Sequence, residues 1–432
     1  MQVGERMTYE AALAFIHDTY KFGSKLGLDN IKLLMSRLGD PQKKLKFVHI
    51  AGTNGKGSTS AFTHSVLVEA GYRVGLYTSP FIETFNERMR VNHTLISESA
   101  LAKHTEKVKE QIDEMVKEGY NHPTEFEVVT AIAMLYFLDE ACDVVVLEVG
   151  LGGRLDATNV IDTPLVSVIT PLALDHIEYL GDTIELIAYE KSGIIKSNGT
   201  TVSYPQMESA LSVISEKCQN ENNDLVITDL NQLAITKSTF GALEMTYKGQ
   251  PYSLSLFAPY QAQNAAMAIE IIDVLKRKYG FSISEVQLSE GLRKAKWIGR
   301  LEIISSDPFV IIDGAHNLHG ILGLVESLKM LKGDLDVVGI VGILKDKDVL
   351  GMLDEITPYL KGVVTTKPDN PRALNESALS DAFREHGTPV LYENESIKAC
   401  VDWVLEHAKP NTLYLGFGSL YMIGEIRSKF HH

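Results

Sequence analysis

Seven residues, Gly52-Thr53-Asn54-Gly55-Lys56-Gly57-Ser58, combine three glycines, a lysine and two hydroxyls. That mixture suits a phosphate group. Glycines let backbone N–H groups turn inward around phosphate oxygens, and a lysine adds a mobile positive charge. Phe47-Val48-His49-Ile50-Ala51 before it reads as a buried strand, and the text from about Ser58 to Ala70 as a helix. The helix start would supply unpaired N–H groups and a positive dipole end. Lys56 can reach the β- and γ-phosphates, and the hydroxyl of Ser58 or Thr59 can face the loop or a metal. The spelling departs from GxxxxGK[ST], because Gly57 separates the lysine from the serine.

Other chemistry-bearing residues sit at strand ends. Glu148 closes the most apolar run, Asp143 to Val149, and precedes Gly150-Leu151-Gly152-Gly153-Arg154. A carboxylate there points into the crevice where open α/β sheets bind ligands. With a phosphate loop nearby, it suits Mg²⁺, which takes hard oxygen ligands. Asp175-His176 follows the strand Leu165 to Thr170, and Asp313-Gly314-Ala315-His316-Asn317 follows Phe309 to Asp313. By themselves, His176 reads as a structural histidine, Lys191 as a surface lysine, and the second segment as a turn.

The elements around these residues alternate between strand and helix. That alternation predicts right-handed crossovers and a parallel sheet covered on both faces. From about Gln232 to Phe257 short alternating runs predict a small antiparallel elaboration. After Trp297-Ile298-Gly299-Arg300 a second α/β series begins, with strands at Phe309–Asp313, Val337–Gly342, Gly362–Thr366, Pro389–Tyr392 and Thr412–Gly416. The expected fold is α/β. A P-loop nucleotide-binding domain with a mostly parallel sheet and the antiparallel elaboration occupies 1–298, and a smaller Rossmann-like domain occupies 299–432.

Composition narrows the partners. A net charge of −15 gives no general attraction to nucleic acid or an anionic membrane, so anionic ligands must be held by local donors. A hydrophobic share of 45% excludes wholesale disorder. Three scattered cysteines, Cys142, Cys218 and Cys400, fit a reducing compartment and form no thiolate metal motif. No apolar leader occupies Met1 to Arg6 and no run is long enough to span a bilayer, so a cytoplasmic home is expected. His431 and His432 are set aside as a tag remnant.

Together these motifs resemble the folylpolyglutamate synthase and dihydrofolate synthase family, within the Mur-type ATP-dependent amide ligases. The resemblance rests on His49 to Ser58, Thr78-Ser79-Pro80, Phe85-Asn86-Glu87-Arg88, Thr124-Glu125-Phe126-Glu127 and Glu148 to Asn159. It continues through Glu190 to Lys196, Trp297 to Glu302, Asp313 to Asn317 and Gly418-Ser419-Leu420-Tyr421.

The resemblance implies ATP bound by Gly52, Thr53, Asn54, Gly55, Lys56, Gly57 and Ser58, with Asn264, Arg300 and Asp313 also reaching it. It implies two Mg²⁺ ions, held among Ser58, Ser79, Glu148 and His176, and a carbamylated Lys191 as a further carboxylate. Carbamylation is sensible only if Lys191 is shielded enough to be neutral. His316 would lie near the phosphates, and the nucleotide in an interdomain cleft.

Arg88, Thr124, Phe126, Arg154, Asp156 and Ala157 would hold the folate or dihydropteroate, and Ser419 the L-glutamate. One departure is Glu125, where the pattern of members that use both acceptors leads one to expect proline. The implied reaction is ATP-dependent addition of L-glutamate to a folate tail through an acyl phosphate, and also to dihydropteroate. The expected partners are small molecules, and the expected state is a monomer. A cell-wall Mur ligase and a non-catalytic P-loop module remain alternatives. The first needs a nucleotide-sugar site for which only about 46 residues precede the loop's strand.

Overall fold

Apolar runs without polar alternation belong in strands covered on both faces. β1 (Phe47–Ala51) and β5 (Val144–Glu148) are such runs; both are wholly buried and lie side by side in parallel, Ile50 opposite Glu148. The computed structural model describes residues 6–23 and 27–430. Most of the segment read for a leader, residues 1–5, and the two terminal histidines lie outside the described residues.

The remaining strands of this sheet are β2 (Val74–Tyr77), β3 (Met89–Val91), β4 (Thr94–Leu95), β6 (Val166–Ile169), β7 (Thr200–Ser203) and β8 (Asp224–Ile227). The order is β4-β3-β2-β5-β1-β6-β7-β8. The run β2-β5-β1-β6-β7-β8 pairs in parallel, and β3 and β4 add an antiparallel edge.

The helices start where side chains can cap them. Ser97 accepts from Ala100 N ahead of α4 (Glu98–Lys117), and Thr124 from Glu127 N ahead of α5 (Glu125–Asp139). The earlier helices are α1 (Tyr9–Asp18), α2 (Asp29–Arg37) and α3 (Lys56–Glu69), so α3 begins two residues before the expected Ser58. Helix α5 is apolar nearly all round and sits in the core with Tyr77, Val145 and Leu147. Its Phe137 presses on Gly75 of β2, where an added Cβ would lie 2.8 Å from the ring. Glycine is therefore required at 75 for helix and sheet to approach.

By contacts the chain forms two compact units, Met1–Leu230 with Asn264–Gly291, and Asn231–Gln263 with Leu292–His432. The antiparallel elaboration thus groups with the later residues. It is a meander of β9 (Leu233–Thr239), β10 (Ala242–Tyr247) and β11 (Gln250–Leu254).

The second unit's main sheet holds β12 (Glu302–Ser306), β13 (Phe309–Ile312), β14 (Asp336–Val341), β15 (Gly362–Thr365), β16 (Val390–Glu393) and β17 (Thr412–Phe417). Its order is β12-β13-β17-β14-β15-β16, parallel except for β12. Strands β8 and β12 were not anticipated. Both are short edge strands with only partial burial, so neither carries a clear apolar run. Among the described residues no helix is long and apolar enough to cross a membrane.

Phe137→Ala should cost about 3–5 kcal/mol of unfolding free energy in urea at unchanged m-value. A loss below about 1 kcal/mol would mean that the contact with Gly75 is not what seats α5.

Candidate active site

The loop after β1 is fixed before any ligand arrives. Thr53 N and Asn54 N donate to Pro171 O at 3.0 and 3.3 Å, and Thr170 Oγ1 donates to Asn54 O at 2.7 Å. A Cβ at Gly52 would collide with Thr170, and one at Gly55 would stand 2.5 Å from Asn264 Oδ1. The turn therefore needs glycine at both places, and Asn264 lies against it. Gly55, with φ of 83°, precedes α3 and gives no side-chain cap, so the positive end of the helix dipole opens onto the loop. Ser58 and Thr59 are buried in that first turn.

Two lysines converge here. Lys56 Nζ donates to Gly52 O at 3.0 Å and Thr53 O at 3.1 Å, and Lys191 Nζ donates to the same Gly52 O at 2.9 Å. Lys191, near the end of α7 (Ile184–Ser192), is only 5% exposed. Burial, reinforced by the charge of Lys56, lowers its pKa to about 7. Reading Lys191 as a surface lysine is thus overturned, and the shielding that carbamylation requires is present.

Glu148 ends β5 with 4% exposure, and its Oε2 accepts from Ser79 N at 3.2 Å. These two expected metal-binding residues are therefore adjacent. His176 sits in a left-handed conformation (φ 51°) just past the Thr170–Ala173 segment that clasps the loop, its backbone N–H donating to Asp175 Oδ1. Among the described residues no three His, Cys, Asp or Glu side chains surround a common point. The expected donor set contains only two such residues, Glu148 and His176. The hard oxygens of Glu148 and Ser79 beside a phosphate loop fit Mg²⁺.

Several expected substrate residues hold structure instead of facing outward. Asp156 is 6% exposed; its carboxylate accepts from Leu151 N at 2.8 Å, Thr158 N at 3.0 Å and Thr158 Oγ1 at 2.5 Å. Thr158 also meets His49 Nε2 at 2.8 Å. Arg154 pairs with Glu190 at 2.8 Å and lies over Tyr189. Thr124 forms a reciprocal cap with Glu127. Phe126 abuts Gly150, where a Cβ would lie 2.5 Å from the ring, and Ala157 is buried beside it in sequence order with Asp156. Arg88 lies over Phe81 and Phe85, and its Nε and Nη1 are buried without hydrogen-bond partners among the described residues.

In the second unit the expected residues gather at the carboxyl ends of β13 and β17. Asp313 accepts from Tyr260 Oη at 2.7 Å, Leu301 N at 2.9 Å and Ala315 N at 2.8 Å. It fixes the turn, while Arg300 lies against Gly314. His316 Nδ1 meets Gly314 O at 2.7 Å. Ser419 is 1% exposed, and its Oγ has no partner among the described residues. Lys347, with a side chain 6% exposed, follows neighbouring β14 and was not singled out from the sequence. Thr170, which follows β6, was missed too, because a lone threonine beside an apolar strand gives no pattern signal.

The Mur ligase middle domain matches residues 50–272, and the Mur ligase glutamate ligase domain matches 299–420. A dihydrofolate synthase/folylpolyglutamate synthase of Bacillus subtilis is 38% identical, over 98% of this chain and 99% of its own. The crystal structure of folylpolyglutamate synthase from Thermotoga maritima has a TM-score of 0.85 at 35% identity, covering 98% of this chain and 97% of that one. A structure of Escherichia coli FolC in complex with DHPP and ADP has a TM-score of 0.85 at 30% identity, with 99% and 98% covered.

The chain belongs to the folylpolyglutamate synthase/dihydrofolate synthase family. It is an ATP-dependent acid–amino-acid ligase, as members of this family are. The expected phosphate loop, Glu148 and Lys191 fall in one unit, and the expected Arg300, Asp313, His316 and Ser419 in the other.

The lowered Lys191 pKa has a sign for stability. The folded state holds fewer protons on this amine than the unfolded chain between about pH 7 and 10.5, so the term weakens the fold as pH falls through that window. In CO₂-free buffer, Lys191→Met should be more stable relative to the parent at pH 7 than at pH 9. Equal differences in urea midpoint at both pH values would refute a neutral-leaning amine.

Proposed function

We propose that this protein adds L-glutamate to the γ-carboxylate of a folate's glutamyl tail, and to the carboxylate of dihydropteroate, through acyl phosphate intermediates. The observation that carries the reading is the convergence of Lys56 and Lys191 on Gly52 O, at the loop that opens α3. Such a concentration of positive charge at a helix start suits a transferring phosphoryl group.

A carboxylate resists an amine because it is anionic and lacks a leaving group. Transfer of the γ-phosphoryl breaks its bond to ADP and forms a P–O–C linkage on the acid. The glutamate amine then attacks the acyl carbon, loses a proton, and phosphate leaves from the tetrahedral intermediate. Lys56 and the backbone at the start of α3 hold the phosphates, with Asn264 beside the loop as a further nucleotide contact.

Mg²⁺, when bound, would neutralise phosphate charge; Ser58, Ser79, Glu148 and His176 would hold it, with a carbamylated Lys191 as a further oxygen donor. On the acceptor side, Arg88, Thr124 and Phe126 line the site, and Asp156, Ala157 and Arg154 shape it. Ser419 takes the incoming glutamate. A monomer in a reducing cytoplasm completes the reading, in keeping with three free, buried cysteines.

Turnover should require ATP, a folate and glutamate together, and should release ADP and phosphate. AMP and pyrophosphate as products would exclude an acyl phosphate. Lys56→Ala should lower kcat by about 10²-fold or more with an unchanged unfolding midpoint. Because CO₂ reacts only with neutral amine, bicarbonate stimulation should climb through about pH 7, and short carboxylates should partly restore Lys191→Ala. A Lys191→Ala protein as active as its parent would remove the carbamate. Parallel assays with dihydropteroate and a reduced folate decide whether both acceptors are used.

A further inference from the structure

The segment that clasps the glycine-rich loop is itself held from behind. Strands β6 and β7 pair in parallel with Ile169 opposite Ser203, and Tyr204 N carries the ladder one step on, donating to Ile169 O at 2.9 Å. There a backbone ladder must stop. Each chain next meets a proline, Pro171 and Pro205, and neither has an N–H to extend the pairing.

The side chain of Gln206 supplies what the prolines cannot. Its Oε1 accepts from Leu172 N at 3.0 Å, and its Nε2 donates to Thr170 O at 3.0 Å and Ile169 O at 3.4 Å. Only one orientation of the amide satisfies these partners, because an N–H can only donate and carbonyl oxygens only accept. The carboxamide thus stands in for a peptide group and continues the β6–β7 pairing past its end.

The opposite edge of the same segment faces the loop. Pro171 O takes Thr53 N and Asn54 N, and Thr170 Oγ1 donates to Asn54 O at 2.7 Å. Thr53 Oγ1 donates to Ala173 O at 3.0 Å and accepts from Ala173 N at 3.1 Å. Residues 170–173 are therefore bonded on both sides, to the loop in front and to Gln206 behind. Thr170 cannot advance, since it already fills the space that a Cβ at Gly52 would need. Gln206 prevents its retreat.

We propose that Gln206 is a positioning residue for ATP, acting through Thr170–Ala173 to set where the Gly52–Ser58 loop stands. The proposal rests on the phosphate-loop reading above and extends it to a side chain on another strand's end. Its leverage is geometric: a misplacement of about 1 Å at a reacting group can cost about 10²-fold in rate.

The test measures kcat/KM for ATP, with reduced folate and glutamate saturating, in the parent, Gln206→Ala and Gln206→Glu. Each protein is assayed at two pH values, one mildly acidic and one mildly alkaline. The carboxyl of Gln206→Glu keeps an acceptor for Leu172 N, but when ionised it sets an oxygen against Thr170 O. When protonated it regains a donor there. Burial against carbonyl oxygens raises such a carboxyl well above its usual value of about 4.3.

Relative to the parent at the same pH, Gln206→Ala should lose about 10-fold or more at both values. Gln206→Glu should show that loss on the alkaline side and come within about threefold of the parent on the acidic side. The KM values for folate and glutamate should stay within about threefold of the parent's throughout.

A Gln206→Glu deficit that does not change with pH would overturn the proposal, because the bond donated to Thr170 O would then have no part. Parent-like values for both variants would overturn it too. So would equal losses toward ATP, folate and glutamate, which mark a general distortion. Unfolding midpoints near the parent's establish that the variants fold; should Gln206→Ala not fold, the pH series of Gln206→Glu decides alone. Lys56→Ala separates the two levels of the argument. Unaffected Gln206 variants beside a crippled Lys56→Ala remove this proposal only, whereas a Lys56→Ala as active as its parent removes the loop reading and this proposal with it.

Discussion

The carbonyl of Gly52 accepts from two ammonium groups at once, Lys56 at 3.0 Å and Lys191 at 2.9 Å. The triangle of those bonds keeps the two heads within about 6 Å, where like charges repel by about 3 kcal/mol at an effective dielectric of about 20. The surrounding protein leaves little room to escape. Thr170, Pro171 and Ala173 clasp the loop from the β6 end, and Lys191 is enclosed. Three changes relieve the repulsion: loss of a proton from Lys191, conversion of its amine to an anion, or arrival of phosphate oxygens. Each of them lowers the positive charge concentrated at the loop.

That arrangement depends on close backbone contact. A Cβ at Gly153 would come within 2.8 Å of Lys191 O, and one at Gly193 would strike the Arg154 backbone. The segments Gly150–Arg154 and Glu190–Gly193 therefore pack main chain against main chain, which holds the Lys191 stem at a fixed height. Many residues that looked like ligands serve this positioning. Arg154 closes the seam on Glu190, and Asp313 ties Tyr260, Leu301 and Ala315 together in the second unit. Among the described residues, Arg88 and Ser419 are expected site residues whose buried polar atoms find no hydrogen-bond partner within the chain.

The central strands were legible because burial on both faces leaves an apolar run that needs no context, as in Val144–Leu147. Helix starts carry a local mark, since Thr8, Ser97 and Thr124 are capping types, each bonded as its position requires. Edge strands were not, since β8 and β12 are only partly covered. The phosphate loop could be read from glycine spacing. Lys191 could not, because its meaning lies in burial and in the charge of a residue 135 positions earlier. The grouping of β9–β11 with the later unit was likewise invisible, since contiguity in sequence says nothing of which core a meander joins.

The last link is a polar chain inside an otherwise apolar strand. His49, one strand position before Ile50, is fully buried, and burial lowers its pKa to about 3, so the ring is neutral. The Thr158 hydroxyl proton goes to Asp156, so His49 Nε2–H must be the donor to Thr158. The three form one buried polar chain, in which burial lowers the pKa of His49 and raises that of Asp156. The strand that leads into the phosphate loop is thus pinned to the turn that carries Asp156 and Ala157. Such a link costs a buried histidine with one unpaired nitrogen, a penalty of about 1–3 kcal/mol. What it secures is a fixed offset between the strand that leads into the glycine-rich loop and the turn that carries Asp156 and Ala157.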